Sequence, residues 1–128
     1  MSIASEREIN VLHVDDDPAL TNLSRTVLQE EDDRFSIETA TSAQEAMTLI
    51  ADDSPDCVVS DYDMPGRDGI ELLRSVRENC PELPFILFTG KGSETVASEA
   101  ISAGVTDYLQ KTSGTEQYEL LANRIVNA

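Results

Sequence analysis

Val58-Val59-Ser60-Asp61-Tyr62-Asp63-Met64-Pro65-Gly66-Arg67-Asp68-Gly69 puts a carboxylate where an apolar run stops and a turn begins. The preceding residues, from Cys57 to Ser60, read as a short buried strand, and Pro65, Gly66 and Gly69 break the pattern after it. Asp61 is therefore expected at a strand tip, where a side chain is available for chemistry. The acidic triplet Asp15-Asp16-Asp17 ends the first apolar run of the chain in the same way, and Lys111 ends the last. Acids and a lysine at the ends of different strands suit a metal-assisted phosphoryl site.

Outward from this stretch, the apolar residues alternate between two periods. Ile9 to Val14 reads as a first strand, and after Pro18, a residue favoured at the first helical position, Leu20, Leu23, Val27 and Leu28 recur at helical spacing. Phe35, Ile37 and Thr39 alternate as a second strand. Ser42 then caps a second helix, with Glu45 completing a capping box and Ala46, Met47, Leu49 and Ile50 as its apolar stripe. Asp68 is placed to cap a third helix carrying Ile70, Leu73 and Val76, which stops at Asn79-Cys80-Pro81. Phe85 to Phe88 is the fourth strand. Ser93 opens a helix with Val96, Ala97, Ala100 and Ile101 on one face, ended by Gly104. Val105 to Gln110 supplies the fifth strand, and Tyr118, Leu121, Ala122, Ile125 and Val126 mark the fifth helix.

Strand-helix units with continuous apolar strands imply a parallel sheet covered by helices on both faces. In such sheets a ligand site lies beyond the carboxyl ends of the strands, where strand order reverses. Asp15 and Asp16 follow strand one, Asp61 strand three, Thr89 strand four and Lys111 strand five. No repeat, low-complexity tract or linker interrupts the pattern, so residues 1–128 are expected to form a single domain.

The chain has 25 acids against 9 bases, a net charge of −16, and 40% hydrophobic residues. The apolar content supports a core despite the charge. Binding of nucleic acid is disfavoured, because phosphate contacts need clustered Lys and Arg. Among the bases only Lys91 and Lys111 are lysines. An acid-rich, lysine-poor surface resembles those of salt-loving organisms, where a Debye length of roughly 3 Å at molar salt screens self-repulsion. A halophilic source is the expectation. Cys57 and Cys80, far apart in the chain, are expected to be free thiols, which points to a reducing cytoplasm. No apolar run approaches the roughly 18 residues of a membrane span, and Met1 to Asn10 lacks the marks of a signal peptide.

Taken together, these positions resemble the receiver domain of response regulators in two-component signalling, over Ile9 to Asn127. The resemblance implies an α/β, flavodoxin-like (βα)5 fold: a doubly wound parallel sheet of strand order 2-1-3-4-5 in a three-layer α/β/α sandwich. It implies transfer of a phosphoryl group from a histidine kinase's phosphohistidine to Asp61, whose carboxylate acts as the nucleophile. Asp61 precedes the Met64-Pro65 and Asp68-Gly69 pairs typical of the family. Asp15 and Asp16 match its acidic pair, Asp16 as a direct metal ligand and Asp15 acting directly or through water. With Asp61 and the main-chain carbonyl of Asp63 they would hold Mg²⁺, or Mn²⁺ in its place. Thr89 and Lys111 match the hydroxyl and the cation that face phosphoryl oxygens. Tyr108 matches the aromatic switch position that responds to Thr89. Asp17 fits better as a charge at a helix start, beside Pro18. The implied output surface, towards a separate domain or protein and open to homodimer formation, is the face of helix four, strand five and helix five. Neither direct nucleic-acid binding nor membrane attachment is implied.

The chain departs from the family pattern in three ways. Thr112 follows Lys111 where the family usually has a proline joined through a cis bond, a geometry that costs about 2.5–4 kcal/mol without proline. Asp63 and Lys91 stand two residues after Asp61 and Thr89, where they could pair across the mouth of the site and tune the lifetime of the phosphorylated state. His13, the only histidine, lies between Leu12 and Val14 and is expected to be structural, so the chain itself is not a histidine kinase. It ends after helix five without an output domain, which suits a stand-alone regulator or a receiver segment of a larger regulator or hybrid sensor kinase. The rival reading is a small aspartyl-phosphate phosphatase of haloacid-dehalogenase type, because Asp61-Tyr62-Asp63 resembles an Asp-x-Asp signature. Pro65 stands where that signature wants Thr or Val, and the chain has no room for a substrate cap.

Overall fold

Strands that are apolar throughout leave no face for solvent, so helices must cover both sides of the sheet. The computed structural model describes residues 8–90, 94–112 and 114–128. Strand and helix alternate as β1 (Ile9–Val14), α1 (Pro18–Glu31), β2 (Phe35–Ala40), α2 (Ala43–Asp53), β3 (Cys57–Ser60), α3 (Gly69–Asn79), β4 (Phe85–Thr89), α4 (Glu94–Ser102), β5 (Asp107–Gln110) and α5 (Glu116–Val126). All four strand pairings are parallel and the order is β2-β1-β3-β4-β5. This is the flavodoxin-like arrangement expected from the sequence, with order reversing between β1 and β3.

Alternation along each strand sends neighbouring side chains to opposite layers. Leu12, Val14, Val58, Phe85 and Leu87 pack with Ala46, Ile50, Ile70, Leu73, Val76, Val96 and Ala100 of α2, α3 and α4. Val11, Val59, Ile86 and Phe88 pack with Leu28, Tyr118, Leu121 and Ile125 of α1 and α5. The helices are thus divided three against two. No helix among the described residues is long and apolar enough to cross a membrane.

Caps place the helices that frame the carboxyl edge. Asp17 accepts the Ala19 N–H at 3.0 Å at the start of α1, with Pro18 following. Asp68 accepts the Glu71 N–H at 2.9 Å while the Glu71 carboxylate accepts the Asp68 N–H at 3.0 Å, a complete capping box worth about 1 kcal/mol. The box expected at Ser42 is half made. Ser42 Oγ accepts the Glu45 N–H, but the Glu45 carboxylate reaches past Ser42 to accept from the Thr41 N–H at 2.7 Å.

Several expected faces are corrected. In α1, Leu23 is 51% exposed, and the buried positions are Thr21, Ser24 and Leu28. These also follow helical spacing; the Thr21 hydroxyl donates back to Pro18 O at 3.0 Å, which offsets its burial, while Ser24 Oγ is buried without a hydrogen-bond partner among the described residues. In α4, Val96 and Ala100 face the core while Ile101, one position further round, is 71% exposed. Ser93, the expected start of that helix, lies outside the described residues. Val126 is exposed in the last turn of α5. β5 starts at Asp107 because the Val105 N–H is taken by Ala100 O, closing α4 around Gly104 in a left-handed conformation (φ 90°). β4 runs one residue further than expected, to Thr89. No cis peptide occurs among the described residues, so the geometry normally linked to proline after the lysine is absent at Thr112.

Candidate functional site

The carboxyl edge collects residues from four strand ends. Asp15, just after β1, is buried; its N–H donates to Ala40 O at 3.0 Å, extending the ladder to β2. One Asp15 carboxylate oxygen accepts the Asp17 N–H at 3.0 Å and the other accepts Lys111 Nζ at 2.8 Å. Asp61, just after β3, donates its N–H to Val14 O at 2.9 Å and accepts the Tyr62 N–H at 2.8 Å on its own carboxylate. Its remaining oxygen lies 3.6 Å from Lys111 Nζ.

Asp15, Asp16 and Asp61 each offer a carboxylate oxygen, and these atoms lie within 4.8 Å of one another. Such close negative charge is costly unless a cation joins it. Partial desolvation, followed by the charges of Asp15 and Asp61, pushes the Asp16 carboxyl above the usual carboxylate range. An all-oxygen set at a solvent-facing edge fits a hard divalent ion that keeps several of its waters. The same residues line an open concavity of about 290 Å³ together with Asp17, Leu20, Asp63, Thr89, Gly90 and Lys111. Thr89 is fully buried at the end of β4, and the Lys111 N–H donates to its carbonyl at 2.9 Å, tying the ends of β4 and β5 together.

The structure brings together Asp15, Asp16, Asp61, Asp63, Thr89 and Lys111. Tyr108 lies on β5, half buried against the α2/α3/α4 layer rather than in the concavity. Lys91, and with it the expected pair to Asp63, lies outside the described residues. His13 is buried in β1, and neither ring nitrogen has a hydrogen-bond partner among the described residues. Burial lowers its pKa from 6.5 to about 4, which keeps the ring neutral near pH 7. Cys57 and Cys80 are free thiols.

Features not read from the sequence complete the site. The Ser60 hydroxyl donates to Asp61 O at 2.8 Å. A polar residue closing an otherwise apolar strand was the available signal. Gly69 donates its N–H to Tyr62 O at 2.8 Å, and a Cβ there would fall 2.2 Å from Asp61 O, so only glycine lets α3 start this close to the acidic turn. Lys111 Nζ stands 5.7 Å from the centroid of the Phe88 ring, a contact with no sequence signature.

The profile of the family described as response regulator receiver domain matches residues 11–123. Response regulator MprA of Mycolicibacterium vanbaalenii is 39% identical over 114 residues, 89% of this chain and 48% of that protein. The C4-dicarboxylate transport transcriptional regulatory protein DctD of Pseudomonas aeruginosa is 40% identical over 108 residues, 83% of this chain and 22% of that protein. The chain thus spans about half the length of the first relative and less of the second. The solved structure of chemotaxis protein CheY4 of Vibrio cholerae superposes with a TM-score of 0.83 at 26% identity, covering 92% of this chain and 98% of that one.

Proposed function

This chain belongs to the response regulator receiver domain family, and we propose that Asp61 is its phosphoacceptor, taking a phosphoryl group from the phosphohistidine of a histidine kinase. The observation that carries the reading is the convergence of Asp15, Asp16 and Asp61 within 4.8 Å, with the Lys111 ammonium between Asp15 and Asp61. A carboxylate oxygen of Asp61 attacks phosphorus, the P–N bond breaks, and the imidazole leaves. The Tyr62 N–H orients the Asp61 carboxylate for attack. Lys111 offers its ammonium and Thr89 its hydroxyl to the non-bridging oxygens, where charge gathers in the transition state.

Asp15, Asp16, Asp61 and the main-chain carbonyl of Asp63 are proposed to hold Mg²⁺, or Mn²⁺ in its place. When bound, the ion neutralises the acids and the incoming phosphoryl charge. Phosphorylation is proposed to draw Thr89 toward the phosphoryl group and Tyr108 inward, altering the face of α4, β5 and α5 that an output domain, a partner protein or a second copy would read. The reaction is one the domain performs on itself, and its role is that of a switch.

The phosphatase reading finds no support: the family and the relatives are response regulators. One relative is named as a transcriptional regulator, so the expectation of no nucleic-acid contact is proposed only for the acidic surface of these residues, not for any longer protein. A cytoplasmic location, a halophilic source and a single domain over residues 1–128 remain part of the proposal.

The test is labelling with acetyl phosphate or phosphoramidate, read by intact mass. Wild type should gain one phosphoryl group only with Mg²⁺ present, and Asp61→Asn should gain none. Full labelling of Asp61→Asn, or of wild type in chelator, rejects the assignment.

A further inference from the structure

Strand alternation turns Phe88, the residue before Thr89, to the opposite layer from Leu87, and its ring is buried against α5. There the ring has two neighbours of different kinds. The Lys111 ammonium stands 5.7 Å from its centroid, within the range of attraction to the negative face of an aromatic ring. Tyr118 of α5 meets the same ring edge-on, with centroids 6.0 Å apart and planes at 66°. A lysine carries a flexible four-carbon stem, and two carboxylates at 2.8 and 3.6 Å do not by themselves fix where its ammonium rests. The rigid Phe88 ring, 5.7 Å from the ammonium, adds a third contact that narrows its position.

We propose that Phe88 is a positioning residue for Lys111: its ring holds the ammonium between Asp15 and Asp61, and its contact with Tyr118 ties the placement of that cation to α5. The inference rests on the reading of Asp61 as phosphoacceptor for its kinetic consequence, but not for the contact itself. Lys111 then needs only a short displacement to meet a phosphoryl group on Asp61, and a shift of α5 reaches the ammonium through the two rings.

The chain has two lysines, Lys91 and Lys111, so protein labelled with ¹³C at lysine Cε gives two ε-methylene signals, assigned with Lys91→Arg. In wild type the Lys111 ε-protons should be displaced by the Phe88 ring current. Phe88→Leu should return them to the free-lysine position, and Tyr118→Leu should move them part of the way. With phosphoramidate, Phe88→Leu should label about two- to fivefold more slowly than wild type, the rate equivalent of a modest cation–π contact. In a Lys111→Met background the same substitution should add nothing. Trifluorophenylalanine at position 88 keeps the shape of the ring while weakening its negative face. It should slow labelling in the same direction without disturbing the core.

A Lys111 signal that is unmoved by Phe88→Leu, or equal slowing with and without Lys111, overturns the inference. An unmoved signal in Tyr118→Leu overturns the link to α5. If wild-type Asp61 takes no label at all, the proposed function fails, while the ring-current measurement still decides the Phe88–Lys111 contact.

Discussion

Lys111 donates to Asp15 across 96 positions of sequence, its ammonium 2.8 Å from the carboxylate, and stands farther from Asp61, at 3.6 Å. The Asp15 side chain is only 2% exposed against 17% for Lys111, so the lysine answers first to the acid that water cannot reach. Before phosphorylation, then, Lys111 compensates a buried charge, and only a second, weaker contact points it at the proposed acceptor.

Removing that cation leaves Asp15 buried and unpaired. Lys111→Met should lose about 2 kcal/mol in chelator, less than the roughly 3–5 kcal/mol of a fully buried pair because the lysine still reaches solvent. Mg²⁺ should restore more stability to the variant than it adds to wild type. Urea unfolding with and without Mg²⁺ measures both, and equal Mg²⁺ increments in the two proteins would contradict the pairing.

The net charge of −16 sets a second expectation. Screening at molar KCl should raise the melting temperature, as the Debye length falls from about 10 Å at 0.1 M to about 3 Å at 1 M. Mg²⁺ should add a separate increment by binding the folded site, and Asp16→Asn should remove mostly that increment. A melting temperature flat between about 0.1 and 2 M KCl contradicts the halophilic expectation.

His13 supplies the pH dependence. Its folded pKa is lowered to about 4 from 6.5, chiefly by burial, with Asp15 opposing and Lys111 adding to the shift. The unfolded ring takes up a proton near 6.5 while the folded one does not, so its stabilising contribution is complete above that value and is lost as pH falls toward 4. In metal-free buffer, wild type should lose about 3 kcal/mol more than His13→Leu between pH 7.5 and 4. At neutral pH, His13→Leu should be as stable as wild type or more so, since both ring nitrogens are buried without a partner among the described residues. Parallel stability–pH curves for the two proteins would count against a buried neutral ring.

Asp63 and Lys91 are the residues expected from the sequence to tune the lifetime of the phosphorylated state. If they pair across the mouth of the site and restrict the attacking water, Asp63→Ala and Lys91→Ala should each speed autodephosphorylation by no more than about fivefold, with little further gain in the double variant and a smaller effect at high salt. Phosphate release from prelabelled protein measures the rates. Additive effects would show that each residue acts alone.

Local periodicity was enough for the two-sided burial and the position of the acids, while the strand order was implied only by the resemblance to the receiver family. Val11, Leu12, Val58, Val59, Phe85 and Ile86 lie in apolar runs that only a doubly covered sheet can bury. Asp15, Asp61 and Lys111 were visible as charges where such runs stop. Helix faces were less legible: Thr21 and Ser24, not Leu23, turn inward on α1, since the angle at which a helix lies on the sheet is settled by neighbours such as α5, which contact it only after folding. Only the tertiary structure decided that Lys111 pairs first with Asp15, that Phe88 lies beneath it, and that Gly69 must lack a side chain beside Asp61 O. Those relationships join residues from different strand ends and helices. Their distances are set by how the sheet twists and the helices close over it, and no spacing along the chain encodes that.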